Sequence, residues 1–137
     1  DVLMKGHLPT AVLLKAVLNK EYGLRSSRVL SHVAAFEVNG FDRLIYVTDA
    51  AMNIKPGLEE LKQILENAVR VARAVGVNMP KAACLAAVET VNPAMEATLH
   101  AASLTQMNHR GQIRDCIVDG PLALDNAISE LAARHKN

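Results

Sequence analysis

The sequence predicts an α/β domain: a mostly parallel sheet with an inserted β-hairpin and flanking helices. Three observations carry this prediction. Short apolar runs of strand character alternate with amphipathic helical segments, the pattern of a sheet buried beneath helices. Asn39-Gly40 separates two strand-like runs, which marks a hairpin. The apolar residues from Leu58 to Val75 recur at spacings of three and four, the period of a helix with one buried face.

The elements follow in order. "DVLMKG" (Asp1–Gly6) has the character of a buried strand, and its abrupt beginning reads as the interior of a longer chain. Thr10, after Pro9, is the expected N-cap of a helix over Ala11 to Glu21, with Gly23 just past its end. "RVLSHVAAFEV" and "FDRLIYVTD" are the hairpin strands, joined by Asn39-Gly40 as residues suited to a type I′ turn. Pro56 suits a first helical position, and Leu58, Leu61, Ile64, Leu65, Ala68, Ala72 and Val75 carry that helix to Gly76. "KAACLAAVE" is the next strand, after which Asn92 caps and Pro93 opens a helix towards Met107. "DCIVDG" is the last strand, and Pro121 opens a final helix to about His135. No linker, internal repeat or low-complexity segment interrupts this order.

The 137 residues suit a single domain with one sizeable core. Half of them are hydrophobic, yet the net charge is +1. No apolar run approaches the roughly 18 residues of a membrane span, so a soluble globular protein is expected. No signal-peptide pattern is read at the amino end, and Cys84 and Cys116 both lie in apolar runs, which points to a reducing, cytoplasmic compartment. With 3% aromatics, no tryptophan and no basic block, nucleic acid finds neither stacking platforms nor a charged stripe.

In an open α/β sheet, ligands gather beyond the carboxyl ends of the strands, where loops meet helix N-termini. The predicted ends here are "KGHLPT" (Lys5–Thr10), "VTDAAMN" (Val47–Asn53), "ETVNPAM" (Glu89–Met95) and "VDGPLALD" (Val118–Asp125). Free N–H groups and the positive end of a helix dipole suit an anion such as phosphate. Each loop also has a plainer reading. Asp119 and Asp125 are residue types that more often cap or turn the backbone, Lys5 and His7 can be ordinary loop residues, Thr48-Asp49 can close a strand, and Asn92 is a cap before it is a ligand. His109, Arg110 and Arg114 precede a strand and so fall on the opposite rim. Glu96 and His100 have the spacing to chelate a metal but more often form a weak surface pair, and no metal site is expected. Neither CxxC nor a Cys/His cluster occurs, and Cys84 and Cys116 read as small buried hydrophobes. The sequence contains no GxGxxG, Walker A loop, GxSxG or HExxH.

"DVLMKG", "VTDAAMN", "VNPAM", "TQMNHRGQI" and "DGPLALDNA", in that order, resemble the phosphate acetyltransferase and phosphate butyryltransferase family, most closely its butyryl-type branch. The resemblance runs through essentially the whole chain. It implies one domain of an isocitrate- or isopropylmalate-dehydrogenase-like fold, the middle, inserted domain of a two-domain protein roughly twice this size. It also implies transfer of a butyryl or similar short or branched acyl group between coenzyme A and inorganic phosphate, giving acyl phosphate and free coenzyme A. Coenzyme A is then a substrate, no cofactor is tightly bound, and a homo-oligomer is expected. The family's carboxy-terminal Ser-Arg followed by an aspartate, associated with binding the acyl phosphate and deprotonating the thiol, has no equivalent in this chain, so no catalytic residue is assigned. A phosphate-associated arginine of the acetyl-type enzymes falls near Lys15, a point charge without the bidentate fork of arginine.

Loops and resemblance together nominate Lys5, Gly6, His7 and Thr10 near the phosphate or pantetheine. Thr48, Asp49, Asn53 and Asn92 are expected to line the cleft and Asp119, Gly120 and Pro121 to shape its floor, with Asp125 serving structure or cleft polarity. Two other readings stand beside this one. Alanine-rich helices such as "HAASL" and "ELAAR" allow close packing in a purely structural, dimerising module. A metal-dependent dehydrogenase-type domain has against it the lack of a carboxylate cluster and of a nicotinamide fingerprint.

Overall fold

The computed structural model describes residues 3–24 and 28–136. Asp1 and Val2, the start of the expected first strand, lie outside them. Leu3–Gly6 is irregular rather than a strand, with Met4 89% exposed. A strand needs a ladder partner for its N–H and C=O groups, and none of the described strands lies beside this segment.

Helix α1 spans Thr10–Val17, shorter than the predicted 11–21. Thr10 is its first residue rather than its cap: Pro9 holds the cap position and no side chain caps there. The helix stops because Asn19 turns the chain, its Oδ1 accepting the amides of Glu21 (2.8 Å) and Tyr22 (3.1 Å).

The hairpin is present but short. Strands β1 (Ala34–Phe36) and β2 (Ile45–Val47) pair antiparallel, Ala35 opposite Tyr46. The Phe41 amide donates to Val38 O (3.0 Å), so Asn39-Gly40 does form a turn. Gly40 has φ 90°, whereas Asn39 is not among the positive-φ residues, so the turn is of the type II kind and not type I′.

Helix α2, Leu58–Ala74, matches its prediction closely. Gly57 is its cap, with Pro56 just outside, and the Glu60 carboxylate accepts the Gly57 amide at 2.8 Å. At its far end the amides of Gly76 and Val77 donate to Arg73 O and Ala72 O, both at 3.0 Å, the paired closure of a Schellman motif.

Strand β3 (Lys81–Leu85), helix α3 (Glu96–His109) and strand β4 (Ile117–Leu122) form a crossover unit in which β3 and β4 are parallel. The predicted mostly parallel sheet is thus corrected: the described strands make two separate two-stranded sheets, one antiparallel and one parallel. Strand β4 does not end at Gly120-Pro121 but runs through it to Leu122, and the Gly120–Pro121 and Thr48–Asp49 peptide bonds are cis.

The predicted final helix is two. Helix α4 covers Leu124–Ile128 and α5 Glu130–Lys136, with Ser129 extended between them. Ser129 Oγ accepts the Ala132 amide at 3.3 Å, so this serine caps α5 and breaks the run.

The core joins Leu65 and Val69 of α2, Leu104 of α3, Ile113, Cys116, and Val118 of β4. It lies on one face of the parallel pair. Ala82, Cys84 and Val118 point towards it, while Lys81, Ala83, Leu85, Ile117 and Asp119 occupy the opposite face, where Leu85 and Ile117 are about half exposed. Asn108 fastens α3 to the entry of β4: its Nδ2 donates to Ile113 O and Cys116 O (both 3.0 Å), and its Oδ1 accepts the Val118 amide (3.1 Å). No helix among the described residues is long and apolar enough to cross a membrane.

Candidate functional site

The four predicted loops differ sharply in how their polar groups are used. Lys5–Pro9 walls an open hollow of about 350 Å³ with Gly6, His7 and Leu8. Lys5 Nζ donates to Leu8 O at 2.7 Å and the Leu8 amide donates to Gly6 O at 2.9 Å, so the loop curls on itself. Thr10 follows as the first residue of α1. Lys15 stands in the last turn of that helix, exposed.

Val47–Asn53 is organised around Asp49. Its Oδ1 accepts the amides of His32 (3.3 Å), Ala51 and Met52 (both 3.2 Å). Its Oδ2 accepts the Asn53 amide (3.1 Å) and the Asn53 side-chain amide. Desolvation pushes the carboxyl up, but the Asn53 side chain and the amides of Ala51, Met52 and His32 outweigh it and hold Asp49 below its ordinary value. Thr48 Oγ1 donates to His32 O (2.7 Å) and Asn53 Nδ2 to Leu30 O (3.0 Å), tying the loop to the segment that leads into β1.

Glu89–Met95 is held from within as well. Asn92 Oδ1 accepts the Ala94 amide and Asn92 O the Met95 amide, both at 2.9 Å, so Asn92 caps a turn ahead of α3 rather than the helix itself. Thr98, fully buried, donates from Oγ1 to Asn92 O (2.9 Å) and accepts the Asn92 amide (2.9 Å). Sequence reasoning missed Thr98; its spacing of six from Asn92 carries no familiar motif.

In the last segment Asp119 is not in a loop. It sits on the exposed face of β4, its Oδ1 accepting only the Gly120 amide (2.9 Å). Gly120 packs against Cys84 and Ala101, and Pro121 is buried. Asp125, exposed in α4, accepts from the Asn126 amide (2.9 Å) and from Lys136 (3.0 Å).

Three ion pairs, made by two lysines, link these segments. Lys55, just past Asn53, meets Glu96 at the start of α3 (3.7 Å). Lys136 reaches Glu89 (3.5 Å) and Asp125 (3.0 Å), joining the loop after β3 to the helix after β4. The hydrogen bonds of Lys5–Pro9 stay within that loop and the start of α1. Glu96 thus faces Lys55 and not His100, and among the described residues no group of three or more His, Cys, Asp or Glu gathers for a metal ion. At the other end of the parallel pair, Arg114 Nε donates to Gly111 O (2.8 Å) and Arg73 pairs with Asp115 (2.8 Å). The basic stretch therefore lies on the rim opposite the loops that follow β3 and β4.

Residues 1–137 match a family model described as phosphate acetyl/butaryl transferase. The chain is 72% identical over 136 residues to a probable phosphate butyryltransferase of Bacillus subtilis (strain 168), covering 99% of this chain and 46% of that protein. It is 54% identical to a phosphate butyryltransferase of Clostridium acetobutylicum and 46% identical to a phosphate acetyltransferase of Thermotoga maritima, covering 99% of this chain each time and 45% and 46% of those proteins. Among solved structures, a branched-chain phosphotransacylase from Enterococcus faecalis V583 superposes with a TM-score of 0.84 at 40% identity, over 96% of this chain and 46% of that one. The chain spans about half the length of the curated relatives it matches. A family match along the whole chain, with a shared three-dimensional arrangement, makes this chain a member of the phosphate acetyl/butyryl transferase family.

Proposed function

We propose that the protein transfers a butyryl or similar short or branched acyl group between coenzyme A and inorganic phosphate, with this chain forming one wall of the cleft. The observation that carries the reading is the match of all 137 residues to the acyltransferase family, at 72% identity to a probable phosphate butyryltransferase. In this reaction a phosphate oxygen bonds to the thioester carbonyl carbon, the C–S bond breaks, and coenzyme A leaves as thiolate. The reverse direction needs a base to take the thiol proton. Charge gathers on the phosphate and on the tetrahedral oxyanion, so the site needs fixed cationic or N–H donors. Lys5 spends one N–H on Leu8 O and keeps two for an anion. Gly6, His7 and Thr10 belong to the same hollow and helix start. In this reading Thr48, Asp49, Asn53 and Asn92 line the cleft from the loops after β2 and β3, and Asp119, Gly120 and Pro121 of β4 shape its floor. The reading includes a second domain, a dehydrogenase-like fold for this one, a homo-oligomer in the cytoplasm and coenzyme A as substrate with no tightly bound cofactor.

A scaffolding role is favoured by one observation: the polar groups of Asp49, Asn53 and Asn92 are engaged by the protein itself, within their loops and, for Asp49 and Asn53, with the segment leading into β1. Two experiments separate the readings. Calorimetric titration of coenzyme A and butyryl-coenzyme A into this chain gives saturable binding if its loops hold recognition groups. Substituting this chain for the matching segment of the Bacillus subtilis relative gives phosphate-dependent thiol release from butyryl-coenzyme A. A folded but inactive substitution product would refute the acyl-transfer reading.

A further inference from the structure

Lys136 occupies a position that no local motif announces. It is 11 residues from Asp125 and 47 from Glu89, yet its ammonium lies 3.0 Å from one carboxylate and 3.5 Å from the other. The side chains of Lys136 and Glu89 are only 32% and 31% exposed, unlike the outlying pairs Arg43–Asp42 and Arg134–Glu130. Glu89 begins the loop that leads through Asn92 to α3, and Asp125 stands in the first turn of α4. Both segments follow the carboxyl ends of the paired parallel strands β3 and β4.

We infer that Lys136 is a positioning residue whose ammonium clasps the loop after β3 to the start of α4, holding two rims of the candidate cleft in register. Its functional part rests on the acyl-transfer reading; its structural part does not. The hydrogen bond from Lys136, then the Asn126 amide, holds the Asp125 carboxyl below its ordinary value, and the bond to Asp125 raises Lys136 in turn. Without the clasp the two rims sample other arrangements. A ligand that needs both rims in place then binds with an apparent affinity reduced by the competent fraction, while turnover at saturation is kept.

The test compares Lys136→Met and Lys136→Arg. Hydrogen exchange on this chain is expected to speed up in Lys136→Met at Ala94, Met95, Asn126 and Ala127, to stay unchanged at Val118, and to be restored in Lys136→Arg. In the segment-substituted enzyme, KM for butyryl-coenzyme A is expected to rise roughly fivefold in Lys136→Met with kcat retained. Loss of folded enzyme would instead lower the apparent kcat at constant KM. Unchanged exchange at the two rims overturns the clasp. Faster exchange with an unchanged KM overturns its role in substrate binding. An inactive segment-substituted parent sinks the acyl-transfer reading alone, and exchange still decides the clasp.

Discussion

Replacing Gly120 with alanine probes the tightest approach in the parallel pair. A Cβ there would sit 2.7 Å from Cys84 O, 2.8 Å from Cys84 Cβ and 3.3 Å from Ala101 Cβ. The closest of these is about 0.7 Å inside the 3.4 Å at which ordinary contact begins. Cys84 O is backbone of β3, between the ladder pairs Ala83–Asp119 and Leu85–Leu122 that fix the strand on either side, and Ala101 on the helix side is 2% exposed, so neither can yield freely. Overpacking of this kind costs about 1–3 kcal/mol. The backbone adds to it, because φ at Gly120 is 155°, inside the range that disfavours a side chain, at a further cost of order 1–3 kcal/mol. A loss of about 3 kcal/mol or more follows. Gly76 is the control: its φ is 101° and a Cβ there meets nothing within 4 Å, so alanine costs strain alone, about 1–2 kcal/mol. With a urea slope of about 1.5 kcal/mol per molar, the Gly120→Ala midpoint falls by roughly 2 M and that of Gly76→Ala by roughly 1 M. A Gly120→Ala midpoint equal to or above that of Gly76→Ala would refute the packing argument.

Two further outcomes follow from the same core. Asn108→Ala leaves Ile113 O, Cys116 O and the Val118 amide without their partner. That is expected to cost about 2–3 kcal/mol, a fall of roughly 8 °C in the melting temperature by circular dichroism. The Cys84 thiol, pushed up to about 11 by burial and by the charges of Asp119 and Cys116, holds about a hundredfold less thiolate at pH 8 than an ordinary thiol, so iodoacetamide is expected to label it only after unfolding.

How much was legible in the sequence depended on whether the signal was local. Helix α2 was read almost residue for residue, because its period and its glycine stop are both written within one segment. The hairpin was placed by Asn39-Gly40, but the turn type was not, since only Gly40 takes a positive φ. Gly120-Pro121 looked like a strand end because proline and glycine usually punctuate. Here the glycine admits Cys84 from the neighbouring strand, a contact set by a residue 36 positions away. The last helix was read as one because the helical pattern hides Ser129, whose hydroxyl caps α5. Lys136 and Glu89 could not be paired from sequence at all, as 47 residues separate them.

Asp49 and Asp119 are the same residue type in two candidate segments, and the structure gives them opposite work. Asp49 accepts hydrogen bonds from His32, Ala51, Met52 and Asn53, whereas Asp119 accepts one from the adjoining Gly120 amide and otherwise faces out from β4. A carboxylate held below its ordinary value in the folded state binds fewer protons there than in the unfolded chain. Its stabilisation is therefore complete above the unfolded value, near 3.8, and is lost as pH falls through the lower folded value. Asp49→Asn is expected to lower stability at neutral pH and to flatten the acid side of the stability profile, read by urea unfolding between pH 2 and 6. An acid limb identical to that of the parent would show that Asp49 does not organise its loop. Asp119→Asn is expected to leave the urea midpoint unchanged, because it removes no long-range bond. Its effect belongs to turnover in the segment-substituted enzyme, and full activity there would reduce this carboxylate to a local cap. A stability loss at Asp119 matching that at Asp49 would overturn the contrast, and with it the idea that the groups left unspent by the fold are the ones available to substrate.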